Sequence, residues 1–331
     1  MPTHHGTRTS ASTPRFLALL LASLLILTGC GSGQEEESSE SGDGTHTVET
    51  AFGEVTIPDD PQQIVALEGA VGPLLSADIT PVATADGNYE DSFLPDEYDQ
   101  VQDLPIILTP DGWDYEQIAS LEPDLLIGFV RAGQDQTISD ESREEYERLS
   151  AIAPTVFILS EGSAQTKDAS VEISNILGDS ESAEDAKQAY EDKAAQIRED
   201  YGDVIEENTF AAVDYYENET TVYTPISWIG GILNDIEAPL VTVAADVTNL
   251  NGVDLSSEQL TDLDSATVIL HEQTLDGEPG AGAAELAEVP TFQQLPAVQE
   301  GHDYGIEYFF ADRYETGLKV LEQLESILQE L

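Results

Sequence analysis

The chain predicts an α/β protein of two similar lobes joined by a long helix, and three observations predict it. The first is a repeat. Glu116-Gln117-Ile118-Ala119-Ser120-Leu121-Glu122-Pro123-Asp124-Leu125-Leu126-Ile127 returns without a gap as Glu258-Gln259-Leu260-Thr261-Asp262-Leu263-Asp264-Ser265-Ala266-Thr267-Val268-Ile269. Each copy opens with Glu-Gln, sets apolar residues at its third and sixth positions as the inner face of a short helix would, and ends in an apolar run fit for a buried strand. One helix-turn-strand unit used twice, far apart in the chain, implies two α/β lobes rather than a short-period solenoid. The second observation is that strand-like and helical patterns alternate around both copies, which favours largely parallel sheets covered on both faces. The third is the connector. Gln165 to Leu177 is helical in pattern, Gly178 interrupts it, and Ser182 to about Glu206 continues with Ala186, Tyr190, Ala194, Ile197 and Tyr201 on one face. That second part spans roughly 36 Å at about 1.5 Å per residue, the reach of a strut rather than a loop.

Taken in order, Gly53–Pro58 alternates as an edge strand does, and Pro58 to Pro61 ends it. Ile64–Leu67 reads as a buried strand, Val71–Ala77 as a short helix and Pro81–Ala83 as the next strand. Residues 86–111, with Tyr89, Phe93 and Tyr98, read as a long loop. Leu125–Phe129 is a strand, Ser139–Ser150 a charged helix and Thr155–Leu159 a strand, which makes a Rossmann-like lobe. The second lobe opens with strands at Phe210–Val213 and Thr221–Tyr223, a helix over Trp228–Ile236 and a strand at Leu240–Val243. After the second copy of the repeat come a strand near Tyr304–Phe309 and a terminal helix from about Arg313 to Leu331. The expected boundaries are a leader over 1–30, an acidic tether over 31–46, a first lobe over 47–164, a linker region over 165–207 and a second lobe over 208–331.

A chain of 331 residues with 40% hydrophobic content can furnish two cores. Its charge is extreme, with 66 Asp and Glu against 11 Lys and Arg. Such a surface repels nucleic acid and anionic lipid headgroups, which argues against a nucleic-acid role. Self-repulsion on this scale is tolerable mainly where salt screens it, since the Debye length falls to roughly 3 Å at 1 M, so a salt-loving source is inferred. The leader carries Arg8 and Arg15, no acid, and an apolar run from Phe16 to Leu27 that has the layout of a secretory signal and is short for a membrane span. It ends in Leu27-Thr28-Gly29-Cys30, and Cys30 is the chain's one cysteine. Folding therefore rests on packing, without an internal disulfide. The Glu-, Ser- and Gly-rich stretch that follows is too polar to pack and reads as a tether.

Familiar catalytic patterns are missing. His271-Glu272-Gln273-Thr274-Leu275 lacks the second histidine of a zinc-protease helix. Gly277-Glu278-Pro279-Gly280-Ala281-Gly282 has no phosphate-loop lysine, and no Gly-x-Ser-x-Gly elbow occurs. An enzyme is not expected.

Together, Val55-Thr56-Ile57-Pro58 with Pro61–Leu67, Tyr115–Ile127, Leu149–Val156, Tyr223-Thr224-Pro225-Ile226-Ser227 and Leu295–Gly301 resemble the solute-binding lipoproteins of ABC importers, in the group that serves iron–siderophores, haem and cobalamin. The tetrad ending at Cys30 resembles the bacterial lipobox, which implies cleavage before Cys30, lipidation there and a body tethered to the outer face of the cell membrane. The resemblance implies the class III fold, two lobes on one long helix with ligand held between them. It implies that Glu116 and Glu258, one per lobe, dock onto arginines of the membrane permease, which works with its own ATPase. The plainer alternative is that both are helix N-terminal acids favoured by the dipole.

The implied cargo is a ferric siderophore. For anionic catecholate or carboxylate chelates an arginine offers rigid bidentate donors. Arg131, at the carboxyl end of a strand where open α/β sheets bind ligands, and Arg313 are the candidates, with pairing to Asp312 or Glu315 the alternative for Arg313. Trp228, Tyr89, Trp113, Tyr216 and Tyr308 are candidate cleft aromatics. Haem, for which His271 and His302 could serve as axial ligands, and cobalamin are the runners-up. A bare Mn²⁺ or Zn²⁺ site would need several His and carboxylates, and beyond the leader only His46, His271 and His302 exist. No resident cofactor and a monomer are expected. A surface-anchored enzyme or interaction module on the same scaffold is the other class, because fold does not fix function.

Overall fold

The computed structural model describes residues 44–85, 87, 90–110, 112–132, 137–160, 162–178 and 181–331. The leader, Cys30 and most of the tether lie outside them. The tether ends earlier than expected, because Thr45 and His46 already belong to a strand. That strand, β1 (Thr45–Thr50), pairs antiparallel with β2 (Gly53–Pro58) as a hairpin. The chain then runs through β3 (Ile64–Ala66), helix α1 (Val71–Ser76) and β4 (Ala83–Thr84). The stretch read as a loop holds a helix, α2 (Pro95–Val101). Its proline stands at the first helical position, and the Glu97 carboxylate accepts a 2.8 Å bond from the Leu94 N–H. A small hairpin, β5 (Leu108–Thr109) and β6 (Gly112–Trp113), precedes α3 (Tyr115–Ser120), β7 (Leu125–Arg131), α4 (Asp140–Ser150) and β8 (Thr155–Ser160).

Strands β4-β3-β7-β8 form one sheet, parallel throughout. Side chains alternate across it as strand geometry requires. Ile64, Ala66, Leu125, Ile127 and Ile158 enter the core shared with α1, whereas Val65, Leu67, Leu126 and Phe157 enter the one that holds Ile118 of α3 and Leu149 of α4. The carboxylate of Asp124 accepts from the backbone N–H groups of Gln62 and Gln63 at 2.7 and 2.9 Å, fixing the entries of β3 and β7 side by side.

After α5 (Thr166–Ile176), Gly178 takes φ 83°, and α6 (Glu181–Glu207) runs for 27 residues, close to the span predicted. The remaining strands are β9 (Phe210–Tyr216), β10 (Glu219–Tyr223), β11 (Gly252–Ser256), β12 (Val268–Glu272) and β13 (Asp303–Ile306); the helices are α7 (Trp228–Asp235), α8 (Thr242–Ala245), α9 (Ala281–Leu286), α10 (Pro296–Glu300) and α11 (Tyr314–Leu328). The second sheet, β11-β10-β9-β12-β13, is mixed: β9, β12 and β13 are parallel, while β10 and β11 add antiparallel. The antiparallel turn follows from Glu217 and Asn218, both at positive φ, which close a two-residue hairpin with the twist of its strands.

Two further expectations are corrected. Leu240–Val243 is not a strand, since Leu240 makes a single bridge to Phe210 and the chain turns into α8. The second copy of the repeat packs its short helix as a 3-10 turn over Leu260–Leu263 instead of an α-helix, yet Leu260 and Leu263 are both fully buried as the pattern requires.

Helix α6 buries Ala183, Tyr190, Ala194, Ile197 and Ile205, and its polar groups reach both neighbours in the chain. Tyr190 donates to Asp235 of α7 at 2.7 Å, and Lys187 to Asp168 of α5 at 2.8 Å. Tyr314 of α11 donates to the same Asp168 at 2.7 Å. Buried Lys167 is pushed down by desolvation, which Asp235 at 3.6 Å partly offsets. The described residues pack as one unit. Among the described residues no helix is long and apolar enough to cross a membrane.

Candidate functional site

Two adjoining cavities lie where the carboxyl ends of both sheets meet, the place at which open α/β sheets bind ligands. The first, about 260 Å³, is lined by Glu68 beyond β3, by Phe129 and Arg131 of β7, by Ser160 of β8, and by Trp228 and Phe310 from the second half. The second, about 540 Å³, adds Asp91, Glu272 and Gln273 at the end of β12, and Tyr308 beyond β13. They share Ser92, Phe310 and Asp312.

The first cavity is an aromatic box with one cation. Ser227 caps α7 by accepting from the Gly230 N–H, which sets Trp228 at the first helical position. The Trp228 ring meets Phe310 edge-on, with centroids 5.5 Å apart, and the Arg131 guanidinium carbon stands 5.9 Å from the Trp228 centroid. Arg131 is also paired with Glu68 at 2.7 Å. The turn after β3 can pass under Phe129 because Gly69 has φ +73° and no side chain; a Cβ there would stand 2.4 Å from the ring. Tyr308, a bulky residue at φ 56°, holds a conformation that L residues adopt rarely, and it does so at the rim of the second cavity. Burial pushes its phenol up.

Three ties cross between the two halves around these cavities. Asn251 donates to Ser163 Oγ at 2.9 Å, the Leu275 N–H donates to Asp91 at 2.8 Å, and Arg313 pairs with Glu97. Arg313 is fully buried beneath the cleft floor, in contact with Glu97 and Asp312 and 3.9 Å from Glu315. Desolvation works against its charge, but the three carboxylates outweigh it and raise its pKa. Glu97 is itself pushed up by burial, an effect that Arg313 offsets only in part.

The expected site residues thus divide. Arg131, Trp228 and Tyr308 line the cavities. Arg313 does not, because its guanidinium is consumed by the carboxylate cluster below. Trp113, in β6, packs against the core that holds Ile118 and Leu149, and Tyr216 stands 74% exposed beside a hairpin turn; neither lines the two cavities. Tyr89 lies outside the described residues. His271 bonds the Glu272 carbonyl through Nδ1, His302 stacks near Tyr304, and neither lines the cavities. Glu116 and Glu258 are both exposed, Glu116 in the first turn of α3 and Glu258 in the turn before the 3-10 segment, so the dipole account fits Glu116 better than Glu258.

Sequence reasoning missed Phe129 and Phe310 as cleft aromatics, and Glu68, Asp91, Glu272 and Asp312 as its acids. Their shared signal is position, since each stands at the carboxyl end of a strand or in the segment after it.

Comparison with known proteins agrees with this architecture. The iron(3+)-hydroxamate-binding protein FhuD of Bacillus subtilis (strain 168) is 23% identical over 330 residues, covering 96% of each chain. The siderophore periplasmic binding protein from the fuscachelin gene cluster of Thermobifida fusca superposes with a TM-score of 0.73 at 32% identity, over 83% of this chain and 99% of that one. SirA of Staphylococcus aureus, solved with staphyloferrin B, shares the fold at 21% identity and a TM-score of 0.66, over 86% of this chain and 99% of SirA. The family described as periplasmic binding protein matches residues 67–307, most of the chain, and the chain belongs to that family.

Proposed function

We propose that this protein captures a ferric siderophore in the cleft between its two halves and delivers it to the permease of an ABC importer on the outer face of the cell membrane. The observation that carries the reading is the cleft itself: an aromatic-walled cavity adjoining a larger one that holds Asp91 and Glu272, at the carboxyl ends of both sheets, in a family of solute-binding proteins. The names of the relatives point to ferric chelates as the class of cargo. Haem is disfavoured, because the two histidines expected to ligate it lie outside both cavities. Capture and handover require no bond-making by this chain. Lipidation at Cys30, followed by the polar tether, would hold the receptor near the permease.

Titrating the full chain in mild detergent and molar salt with ferric hydroxamate, catecholate and carboxylate chelates, haem and cobalamin tests the reading. Saturable quenching of Trp228, which lines the cleft, is expected from a ferric chelate at submicromolar concentration, about −8 kcal/mol or tighter. Quenching by haem or cobalamin alone would discard the siderophore.

Glu116 and Glu258 are further proposed to dock the permease. Both are exposed, and no ion pair within the described residues engages either. Carboxylates presented by two similar lobes suit paired cationic pockets. The double reversal Glu116→Arg/Glu258→Arg is expected to abolish cellular uptake while leaving chelate binding intact. Uptake at the wild-type rate would remove both residues from the docking role.

A further inference from the structure

The charge of the cleft restricts the cargo further than its shape does, an inference that rests on the proposed siderophore role. Among the described residues, four carboxylates line the two cavities, Glu68, Asp91, Glu272 and Asp312, against the single cation Arg131. Two of the four touch an arginine of the protein itself. Glu68 holds Arg131 at 2.7 Å, and Asp312 holds buried Arg313 at 3.3 Å. The other two face the larger cavity with no cation. Asp91 accepts a bond from the Leu275 N–H, which leaves its charge in place. Glu272 packs against Gly280, where a Cβ would come within 2.4 Å of its carboxylate, and among the described residues its side chain has neither an ion pair nor a hydrogen bond. Behind it stands Asp214, whose carboxylate accepts from the Tyr215 N–H. Burial, then Asp214 and Asp91, push the Glu272 carboxyl up, so the carboxylate is under electrostatic tension that a cation would relieve.

We propose that the larger cavity seats a positively charged arm of the cargo, an ammonium or guanidinium group received by Glu272 and Asp91, and that the protein therefore selects cationic ferric hydroxamates over anionic catecholate or carboxylate chelates. The aromatic cavity takes the body of the chelate, and the acid pair reads the charge of its arm. An anionic chelate would meet two uncompensated carboxylates and a guanidinium already engaged by Glu68, a juxtaposition that rejects wrong partners. This reverses the charge preference expected from the arginines in the sequence.

The test compares a linear ferric trishydroxamate bearing a free terminal amine, the same chelate with that amine acetylated, and a ferric tricatecholate. Titrations use the full chain in molar salt, where the long-range field of the acidic surface is screened and contact pairs persist. The ammonium form is expected to bind roughly ten- to a hundredfold tighter than the acetylated form, the worth of a hydrogen bond to a charged group. In Glu272→Gln/Asp91→Asn, which keeps the size of both side chains and an acceptor for the Leu275 N–H, that ratio is expected to fall toward one. Equal affinity of the two hydroxamates for the unmodified protein overturns the proposal. So does a ratio that survives the double substitution, and so does tighter binding of the tricatecholate than of either hydroxamate. If the folded protein binds none of the three, the siderophore role itself falls, and the charge preference with it.

Discussion

Replacing Arg313 with alanine is expected to destabilise the protein by about 3–5 kcal/mol, the cost of breaking a buried ion cluster by removing one partner. The side chain is fully buried, and it is the one cation set among Glu97, Asp312 and Glu315. Without it, three carboxylates would share a poorly hydrated space and repel one another. Among the described residues its Nε has no hydrogen-bond acceptor, so the cluster is held by charge and by the two terminal nitrogens rather than by a fully satisfied fork. Arg313→Lys should recover only part of the loss, because one ammonium cannot reach Glu97 and Asp312 with separate donors in a fixed plane. Urea unfolding at constant molar salt, followed by circular dichroism, reads both variants. A loss below about 1 kcal/mol for the alanine variant, the range of an exposed pair, would show that the cluster contributes little.

Trp228→Ala is expected to weaken chelate binding by roughly thirty- to a thousandfold, the 2–4 kcal/mol range of a central aromatic anchor. Three features concentrate the effect on this residue. It stands at the cleft on a capped helix end, so its position is fixed; its ring meets Phe310 edge-on; and Arg131 lies near its face. Truncation would enlarge the cavity and leave Arg131 without its aromatic neighbour. Calorimetry rather than fluorescence is the measurement, since the substitution removes the reporter. Trp228→Phe should retain much of the affinity by keeping an aromatic wall. A change of less than about threefold for the alanine variant, roughly 0.6 kcal/mol, would place the cargo elsewhere.

The long-range plan was legible because it is written in periodicity. The repeated unit marks β7 and β12 with the short helical segments before them, and the apolar stripe of α6 gave its ends to within a residue or two. What escaped was short. The pattern of β11 covers five residues, too few to distinguish from a loop, and α2 announces itself only by Pro95 followed by Asp96 and Glu97. Leu240–Val243 is apolar and β-branched, yet tertiary context gives it one bridge and a helical turn. The site was harder still. Pairing of Arg313 with Asp312 and Glu315 could be weighed from adjacency, but Glu97 lies 216 residues away and only the fold brings it there. The acids of the larger cavity are likewise gathered from separate strand ends, and no local motif joins them.

The three ties across the cleft have a mechanical meaning. With Ser163–Asn251, Asp91–Leu275 and Glu97–Arg313 in place, the two walls of the cleft are tied to each other. Little ordering free energy is then lost on capture, and the difficulty shifts to release. To let its load go, such a receptor must be pried open, with each tie acting as a stitch that some outside force breaks. Unloading is then a property of the membrane assembly as much as of this chain, and the strength of the stitches fixes how hard that assembly has to pull.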